Sequence, residues 1–542
     1  MPVNLTLVSI QFRGIAPCPD ATIPLRRNPD VPPFSLPEWT AGHTDPSQSP
    51  VAFRLDRTRN GTVSARIGFA SPVSQTVEVK AEDATGGNAI GSIPPFAVQL
   101  VAGTGTQLTV RLDAPRLTDP AQARVQAHND SWRWYARPRG TGTWQPIAET
   151  QHRVYTVLGA PMLPWGIDDP DLFVWTDALD LACQWAAGAI DVDAAAGMVA
   201  RGIYQLGEPS SRPGLRYCHC SYVQLTMVGG ALVSVFGCID LIRYLNSTAV
   251  TNAATVDCHD MACAVSTFAN ALGAALIQGK ICLVGRQIHT NDVRLIGGKE
   301  TSTCFGEHEL AWGGSALDPD PVWDACLQVD GDSDPASPPH QFVVSTGMIF
   351  NGGLSLGYRD RFAIGDDAKR LIAPGCRDVS NNRKLATLRP APRRTPHDAV
   401  SGEIPVDLRD FLTSLDVKPW RLLEWFENPL DANLLAYLTT VTLAPDSIEP
   451  RLHIDWYRCA SVQLARDVLS AIHSLYAQPT EYSPVAGDGG FRTLDGGSHV
   501  FVRTNLVVGI NNAGMEARPI GDVPRQIDAT LLERFGQRTL IL

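Results

Sequence analysis

The sequence predicts a multidomain protein: an N-terminal all-β, sandwich-like region, a central α+β domain and a small C-terminal α+β domain. The first observation is length, because a chain of 542 residues exceeds what one hydrophobic core usually organises. The second is the alternation of apolar and polar residues over positions 1–157, which is typical of half-buried strands. The third is that helix and strand signals mix beyond that point. With 46 glycines and 40 prolines marking many turns, a purely helical protein is not expected.

Composition and charge exclude several classes of protein. The chain carries 45 Lys and Arg against 56 Asp and Glu, a net charge of −11, which argues against a nucleic-acid partner. Hydrophobic residues make up 44% of the chain and charged residues 19%, so extended disorder is not predicted. The twelve cysteines are sparse and irregularly spaced, which favours a reduced, cytoplasmic protein over a disulfide scaffold.

No targeting segment or membrane span is predicted. The first residues lack a basic start followed by an apolar run, so we expect no secretory signal peptide, although signal-independent export would leave no trace. The most apolar stretch, Val223–Ile242, is long enough to cross a bilayer. Because it contains Gln224, Asp240 and several glycines, we expect a buried helix or strand pair there instead.

The N-terminal region, 1–157, reads as a β-sandwich or a pair of them. Glycine- and asparagine-rich turns separate its short apolar runs, and Trp132–Tyr135 with Trp144 is typical of a closing hairpin. The runs that predict strands are Leu5–Phe12, Val51–Leu55, Val63–Phe69, Thr76–Val79, Phe96–Val101 and Gln107–Leu112.

Two further domains are predicted after the β region. A central domain, 158–382, is predicted to be helical over Asp177–Tyr204, and a proline- and arginine-rich linker follows at 383–401. The last domain, 402–542, has no predicted role. Its predicted elements are strands near Leu435–Leu443 and Arg451–Tyr457, a helix over Val462–Tyr476 and strands near His499–Ile510.

A cysteine at the start of a predicted helix is the sharpest chemical feature. Apolar residues recur at helical spacing from Met261 to Leu272, and Thr255 or Asp257 can cap the helix start. Cys258 then lies in the first turn, where exposed N–H groups and the helix dipole favour a thiolate. A cysteine there is predisposed to act as a nucleophile, the alternative being a buried structural thiol.

Two strand-like runs after this helix form a predicted hairpin. They run from Glu307 to Trp312 and from Val322 to Leu327, joined by a glycine- and proline-rich loop. A midpoint at Ala316 sets His308 opposite Asp324, with Cβ atoms about 5 Å apart. A carboxylate at that distance can orient an imidazole.

This order of residues resembles the transglutaminase-like superfamily, the circularly permuted relatives of papain-type cysteine proteases. Cys258-His-Asp-Met-Ala262 is similar to its Cys-x-Asp-x-Ala signature, and a His and then an Asp follow on neighbouring strands. The resemblance covers 177–330. It implies a papain-like domain with Cys258, His308 and Asp324 as catalytic residues. Asp260 and Trp312 are implied as supporting residues, with Leu310 and Ala325 standing where the family usually has Trp and Pro.

The resemblance implies a thioester formed from a peptide or protein amide, without a cofactor. His308 would act as general base and then general acid, and Asp324 would orient it. Asn246, Asn252 and the Cys258 N–H are candidate oxyanion donors. Hydrolysis, deamidation and transamidation remain open, and the oligomeric state is not predicted. The alternatives are a catalytically inactive scaffold or binding protein and an enzyme toxin delivered by a secretion machine.

Other motifs carry weaker predictions. His259 is a poor base for Cys258, since adjacent helical residues do not face each other. His289 with Asp292 is an alternative base pair, although a strand-end histidine is the favoured interpretation.

No metal or nucleotide site is predicted. Cys218-His219-Cys220 lacks the second pair of ligands that a zinc site needs. Asp330-Gly-Asp-Ser-Asp334 lacks the terminal Glu of a calcium loop and favours a polar turn. The Gly-Gly pairs at 297, 313 and 352 lack the setting of a phosphate-binding loop.

Overall fold

A computed structural model of the chain describes most of its residues. These are 3–28, 31–140, 142–208, 216–217, 225–228, 231–234, 255–256, 258–283, 288–298, 300–302, 304–305, 307–314, 319–353, 355–371, 411–412, 414, 416–431, 434–442, 451–475, 480–482, 486–493, 497–512 and 520–535. The predicted linker 383–401, the Cys218–Cys220 motif, Asn246, Asn252 and Asp257 lie outside these residues, as does most of Val223–Ile242.

The chain combines several sheets with helices and divides into two compact units. Unit 1 comprises Met1–Gly202 and Val265–Leu276, and unit 2 comprises Ile203–Ala264 and Ile277–Leu542. The domain boundaries predicted from the sequence stay predictions. Among the described residues, no helix has the length and apolarity needed to cross a membrane.

Unit 1 contains two sheets that share one apolar core. A four-stranded sheet has the order β4-β1-β6-β9, and a six-stranded sheet has the order β2-β5-β11-β10-β7-β8. Residues of both sheets, among them Ile67 and Trp132, belong to the same buried cluster, as expected for a sandwich. The strands are β1 (Thr6–Gln11), β2 (Thr22–Ile23), β3 (Leu25–Arg26), β4 (Trp39–Thr40), β5 (Pro50–Arg54), β6 (Ser64–Ala70), β7 (Gln75–Asp83), β8 (Ile93–Leu100), β9 (Thr106–Arg111), β10 (Gln126–Pro138), β11 (Gln145–Val157) and β12 (Val174–Trp175).

The stretch Asp177–Tyr204, predicted to be helical, forms two helices. The break lies at Gly188, which has φ +91°. The Gly188 N–H donates to the Val125 carbonyl and the Val125 N–H donates to the Ala189 carbonyl, so these backbone groups pair outside a helix. The helices up to this point are α1 (Leu55–Thr58), α2 (Pro115–Thr118), α3 (Thr176–Trp185) and α4 (Val192–Tyr204), with single 3-10 turns at Pro46–Gln48, Pro170–Leu172 and Gln205–Gly207.

The first half of unit 2 is organised by a central antiparallel sheet. Its order is β17-β22-β23-β19-β20, with β24 also paired to β23. One apolar cluster, which includes Leu310, Val322, Tyr358 and Phe362, joins this sheet to a short helix, α6. The elements are β13 (Arg216–Tyr217), β14 (Leu225–Val228), β15 (Ala231–Ser234), β16 (Thr255–Val256), α5 (Cys258–Ala271), β17 (Ile277–Cys282), β18 (Ile288–His289), β19 (Val293–Leu295), β20 (Glu300–Thr301), β21 (Cys304–Phe305), β22 (Glu307–Trp312), β23 (Pro321–Asp330), β24 (Phe342–Ile349), α6 (Tyr358–Phe362) and α7 (Gly365–Arg370).

The C-terminal part of unit 2 is an eight-stranded antiparallel sheet with the order β25-β26-β27-β28-β32-β31-β30-β29. Consecutive residues Trp456 and Tyr457 of β28 belong to different apolar clusters, so both faces of the strand are buried. The sequence did not predict the strand β26 or the last helix. The elements are β25 (Asp416–Val417), β26 (Trp420–Asp431), β27 (Leu434–Thr442), β28 (Arg451–Cys459), α8 (Val462–Leu475), β29 (Thr480–Tyr482), β30 (Gly489–Thr493), β31 (Ser498–Arg503), β32 (Leu506–Asn512) and α9 (Val523–Phe535).

Candidate active site

Cys258 is the first residue of α5, two positions after the end of β16 at Val256. Its side chain is half-buried, whereas Met261 and Phe268 on the predicted apolar face are fully buried. The first-turn N–H groups of a helix have no partner within the helix, so they are available to a negative charge beside Cys258. The thiol therefore combines partial solvent access with the electropositive end of a helix.

His308 and Asp324 form a buried pair on neighbouring strands. The His308 Nε2 atom lies 2.9 Å from Asp324 Oδ2, and the two side chains are 0% and 1% exposed. The contact arises through a register that differs from the predicted one. Ala311 pairs with Trp323 and Trp312 with Val322, two residues away from the register that would set His308 directly opposite Asp324. A shift of two residues leaves both side chains on the same face, so the pair meets diagonally.

The Asp324 carboxylate accepts hydrogen bonds from three groups. Besides His308, the Tyr358 hydroxyl donates to Oδ2 over 2.6 Å, and the Cys326 N–H donates to Oδ1 over 2.7 Å. Burial raises the pKa of Tyr358 well above its ordinary value, and the Asp324 charge raises it further. The phenol therefore stays protonated at neutral pH, and its hydroxyl remains a donor.

The His308 ring packs against two aromatic side chains that also contact each other. Phe362 stacks on it at 4.9 Å between ring centroids and an interplanar angle of 20°, and Phe305 lies 5.1 Å away on a tilted plane. With Nε2 bonded to Asp324, the second nitrogen, Nδ1, is buried and has no hydrogen-bond partner among the described residues. Nδ1 is consequently the nitrogen available to exchange a proton.

Electrostatics relate Cys258 to this pair. Burial and Asp324 are the main causes of the raised pKa of Tyr358, and negative charge on Cys326 or Cys258 raises this pKa further. Cys258 thus lies within electrostatic range of the hydroxyl that donates to Asp324, in the same unit of the structure. Tyr358 was not predicted from the sequence, because it follows Asp324 by 34 residues in a five-residue helix that matches no motif.

Two further residues were predicted to support the site. Asp260 is buried in the first turn of α5, where a carboxylate interacts favourably with the helix dipole. Trp312 is buried in the apolar cluster of the central sheet, and its Nε1 donates to the Gly279 carbonyl over 3.3 Å. Its ring packs on Phe350 at 4.7 Å between centroids, so its described contacts are those of a core residue.

His289 is the last residue of β18, as the favoured interpretation of a strand-end histidine predicts, and it does not pair with Asp292. His289 Nδ1 lies 3.0 Å from Asp367 Oδ2, and Asp292 instead lies 3.2 Å from His340 Nε2. The side chain of His289 is 55% exposed, in contrast to the fully buried His308.

The Asp330–Asp334 segment forms a turn around an arginine. Arg361 Nη1 donates to the carbonyl oxygens of Asp330 and Asp332, at 2.7 and 2.5 Å. The Asp330 carboxylate accepts the N–H groups of Asp332 and Gln341 and pairs with His340. These hydrogen bonds outweigh burial and lower the pKa of Asp330. The oxygens that a cation would need are thus bonded to protein donors, and no group of three ligands suited to a metal occurs within the described ranges.

The comparisons with known proteins concern both sequence and structure. No protein-family model matches the sequence, and no curated protein matches it. Among solved structures, the transglutaminase of red sea bream matches with a TM-score of 0.29 and 10% identity, over 71% of this chain and 68% of that one. The family resemblance therefore rests on the residues of the site rather than on this superposition.

Proposed function

We propose that this protein is a cysteine-dependent enzyme of the transglutaminase-like class that acts on a peptide or protein amide. One observation carries the proposal: within the described part of the chain, the buried His308–Asp324 pair leaves one imidazole nitrogen without a partner, in the unit that also contains the half-buried Cys258. An imidazole that is oriented through one nitrogen and free at the other has the arrangement of a general base.

The proposed reaction proceeds through a thioester. His308 Nδ1 accepts the Cys258 proton, and the thiolate attacks the amide carbonyl. The N–H groups at the start of α5 stabilise the oxyanion, and the imidazolium returns its proton to the leaving amine. Asp324 stabilises the imidazolium without being protonated itself. Water then releases a carboxylic acid, or an amine takes over the acyl group.

Thiol reactivity tests the proposal without a known substrate. The native chain is treated with limiting iodoacetamide between pH 5 and 9, and labelled cysteines are mapped by mass spectrometry. Cys18 is the internal reference, since neither it nor Cys258 is in a disulfide and both are half-buried, but Cys18 lies in unit 1. We expect Cys258 to react about 100-fold faster than Cys18 at pH 5.5, because an ordinary thiol is almost fully protonated there.

The His308→Ala variant should lose this advantage and label at the rate of Cys18. Equal labelling of Cys258 and Cys18 in the wild-type chain across the pH range would overturn the proposal and favour an inactive scaffold. Where Cys258 is reactive, ammonia release from glutamine-containing peptides, with and without an added primary amine, distinguishes deamidation from transamidation. The Cys258→Ala variant is the control for both.

A further inference from the structure

The helix α6 is fixed in place by contacts that do not involve the Tyr358 hydroxyl. The Asn291 amide donates to the carbonyl oxygens of Asp360, Arg361 and Ala363, at 3.1 to 3.3 Å. Arg361 reaches across to the turn that begins at Asp330. The hydroxyl of Tyr358 is therefore not needed to hold the helix, and its contact with Asp324 can be considered separately.

This helix contacts both members of the buried pair. Tyr358, its first residue, donates to Asp324 Oδ2, and Phe362, its last residue, stacks on the His308 ring. Tyr358 and Phe362 are themselves nearly parallel, at 17° and 5.7 Å between centroids. One turn of helix thus restrains the carboxylate and the imidazole together.

The Tyr358 hydroxyl and His308 Nε2 bind the same carboxylate oxygen. A hydrogen bond to a charged acceptor is strong and shortens in a buried setting. The phenol therefore withdraws negative charge from the oxygen that faces the imidazole. Each of these two hydrogen bonds to Asp324 Oδ2 therefore weakens the other.

We infer that Tyr358 is a positioning residue of the active site, which fixes the Asp324 carboxylate and limits how strongly it binds the His308 imidazolium. The inference rests on the proposed function of Cys258, His308 and Asp324. It assigns Tyr358 no contact with substrate: the residue acts through Asp324, and so determines the pH range in which His308 exchanges protons.

The test is the titration of His308 followed by NMR in protein labelled at its 12 histidines, with the His308 signal assigned from His308→Ala. Two proteins are compared, one with Tyr358 and one with Tyr358→Phe. Both carry Cys258→Ala, which removes the thiolate. We expect the titration midpoint to rise by about one pH unit, a tenfold change in proton affinity, since the carboxylate loses a competing donor.

Tyr155→Phe is the matched control. Tyr155 is buried in unit 1 and donates to the Asp180 carboxylate over 2.9 Å, so the change removes the same kind of bond elsewhere. It should leave the His308 midpoint unchanged. The inference would be overturned if Tyr358→Phe left the His308 midpoint unchanged while the variant unfolded at the same temperature as Tyr155→Phe.

Failure of the inference is distinguishable from failure of the proposed function. The His308 titration is read in chains without Cys258, so it does not depend on thiol reactivity.

Discussion

At the scale of single residues, the defining feature is a carboxylate with three donors in a site closed to water. Asp324 accepts from His308, Tyr358 and the Cys326 N–H, and both side chains of the His308–Asp324 pair are buried. A buried carboxylate needs such partners, because an unpaired charge in the interior is strongly destabilising. The same bonds that stabilise the fold here also orient the proposed base.

Asp324→Asn should therefore affect stability and reactivity together. An amide has one acceptor oxygen where the carboxylate has two, so a buried donor is left unbonded at a cost of about 1–3 kcal/mol in the free energy of unfolding. The imidazolium also loses its counter-charge, and Cys258 labelling at pH 5.5 should fall about 100-fold. Urea unfolding and the iodoacetamide assay measure the two effects.

Asp367→Asn is the control for this substitution. Asp367 pairs with His289 over a similar distance of 3.0 Å, but that histidine is 55% exposed. Its loss should leave Cys258 labelling unchanged, since this carboxylate pairs with His289 and not with His308. If both variants reduced Cys258 labelling equally, burial of the His308–Asp324 pair would have no effect on the reactivity of Cys258.

At the scale of elements, the chain beyond α5 depends on a close backbone contact. Gly273 has φ +98°, and a Cβ atom there would lie 2.6 Å from the Gly159 nitrogen and 2.7 Å from its Cα. The Leu158 N–H donates to the Leu272 carbonyl over 2.9 Å, which holds the two segments together. Glycine is required at this point by both conformation and space.

Gly273→Ala should consequently lower the free energy of unfolding by about 3 kcal/mol or more, since it combines a disfavoured φ with backbone overlap. Gly188→Ala separates the two causes. Gly188 has a similar φ of +91°, but nothing lies within 4 Å of a Cβ there, so about 1 kcal/mol is expected. If urea unfolding showed the same loss of free energy of unfolding in both variants, the overlap with Gly159 would not contribute to that loss.

At the scale of the whole molecule, buried ionisable groups make stability depend on pH. Burial raises the pKa of Asp130 in unit 1 to about 7, against the opposing hydrogen bond from the Ile90 N–H. The folded chain therefore binds a proton that the unfolded chain releases near pH 4. This contribution to stability is present below about pH 4 and is lost as the pH rises to 7.

Asp130→Asn should remove that dependence. Relative to the wild-type chain, the variant should gain on the order of 3 kcal/mol in free energy of unfolding between pH 4 and pH 8. Asp119→Asn should show the opposite sign, because hydrogen bonds from the Ala121 N–H and Gln122 lower the pKa of this exposed carboxyl. Urea unfolding at several pH values measures both effects. A difference in free energy of unfolding between Asp130→Asn and the wild-type chain that did not change with pH would contradict the expectation.

The sequence by itself determined the features that depend on neighbours along the chain. Alternation predicted strands of the N-terminal region, such as Val63–Phe69 for the observed Ser64–Ala70, because a strand exposes and buries successive residues in turn. Helical spacing predicted α5 with Cys258 in its first turn. The resemblance to a known order of residues selected His308 and Asp324, whose contact is present, while their catalytic roles stay predictions.

Contacts between residues that are distant in sequence were decided only by the tertiary structure. The strand register, Tyr358 on Asp324 and Arg361 on the Asp330 turn all join residues that no local pattern relates. The break at Gly188 follows from backbone bonds to Val125, more than sixty residues earlier. Local patterns report which face of an element is buried, but hydrogen-bonding partners are selected by packing, and packing exists only once the chain has folded.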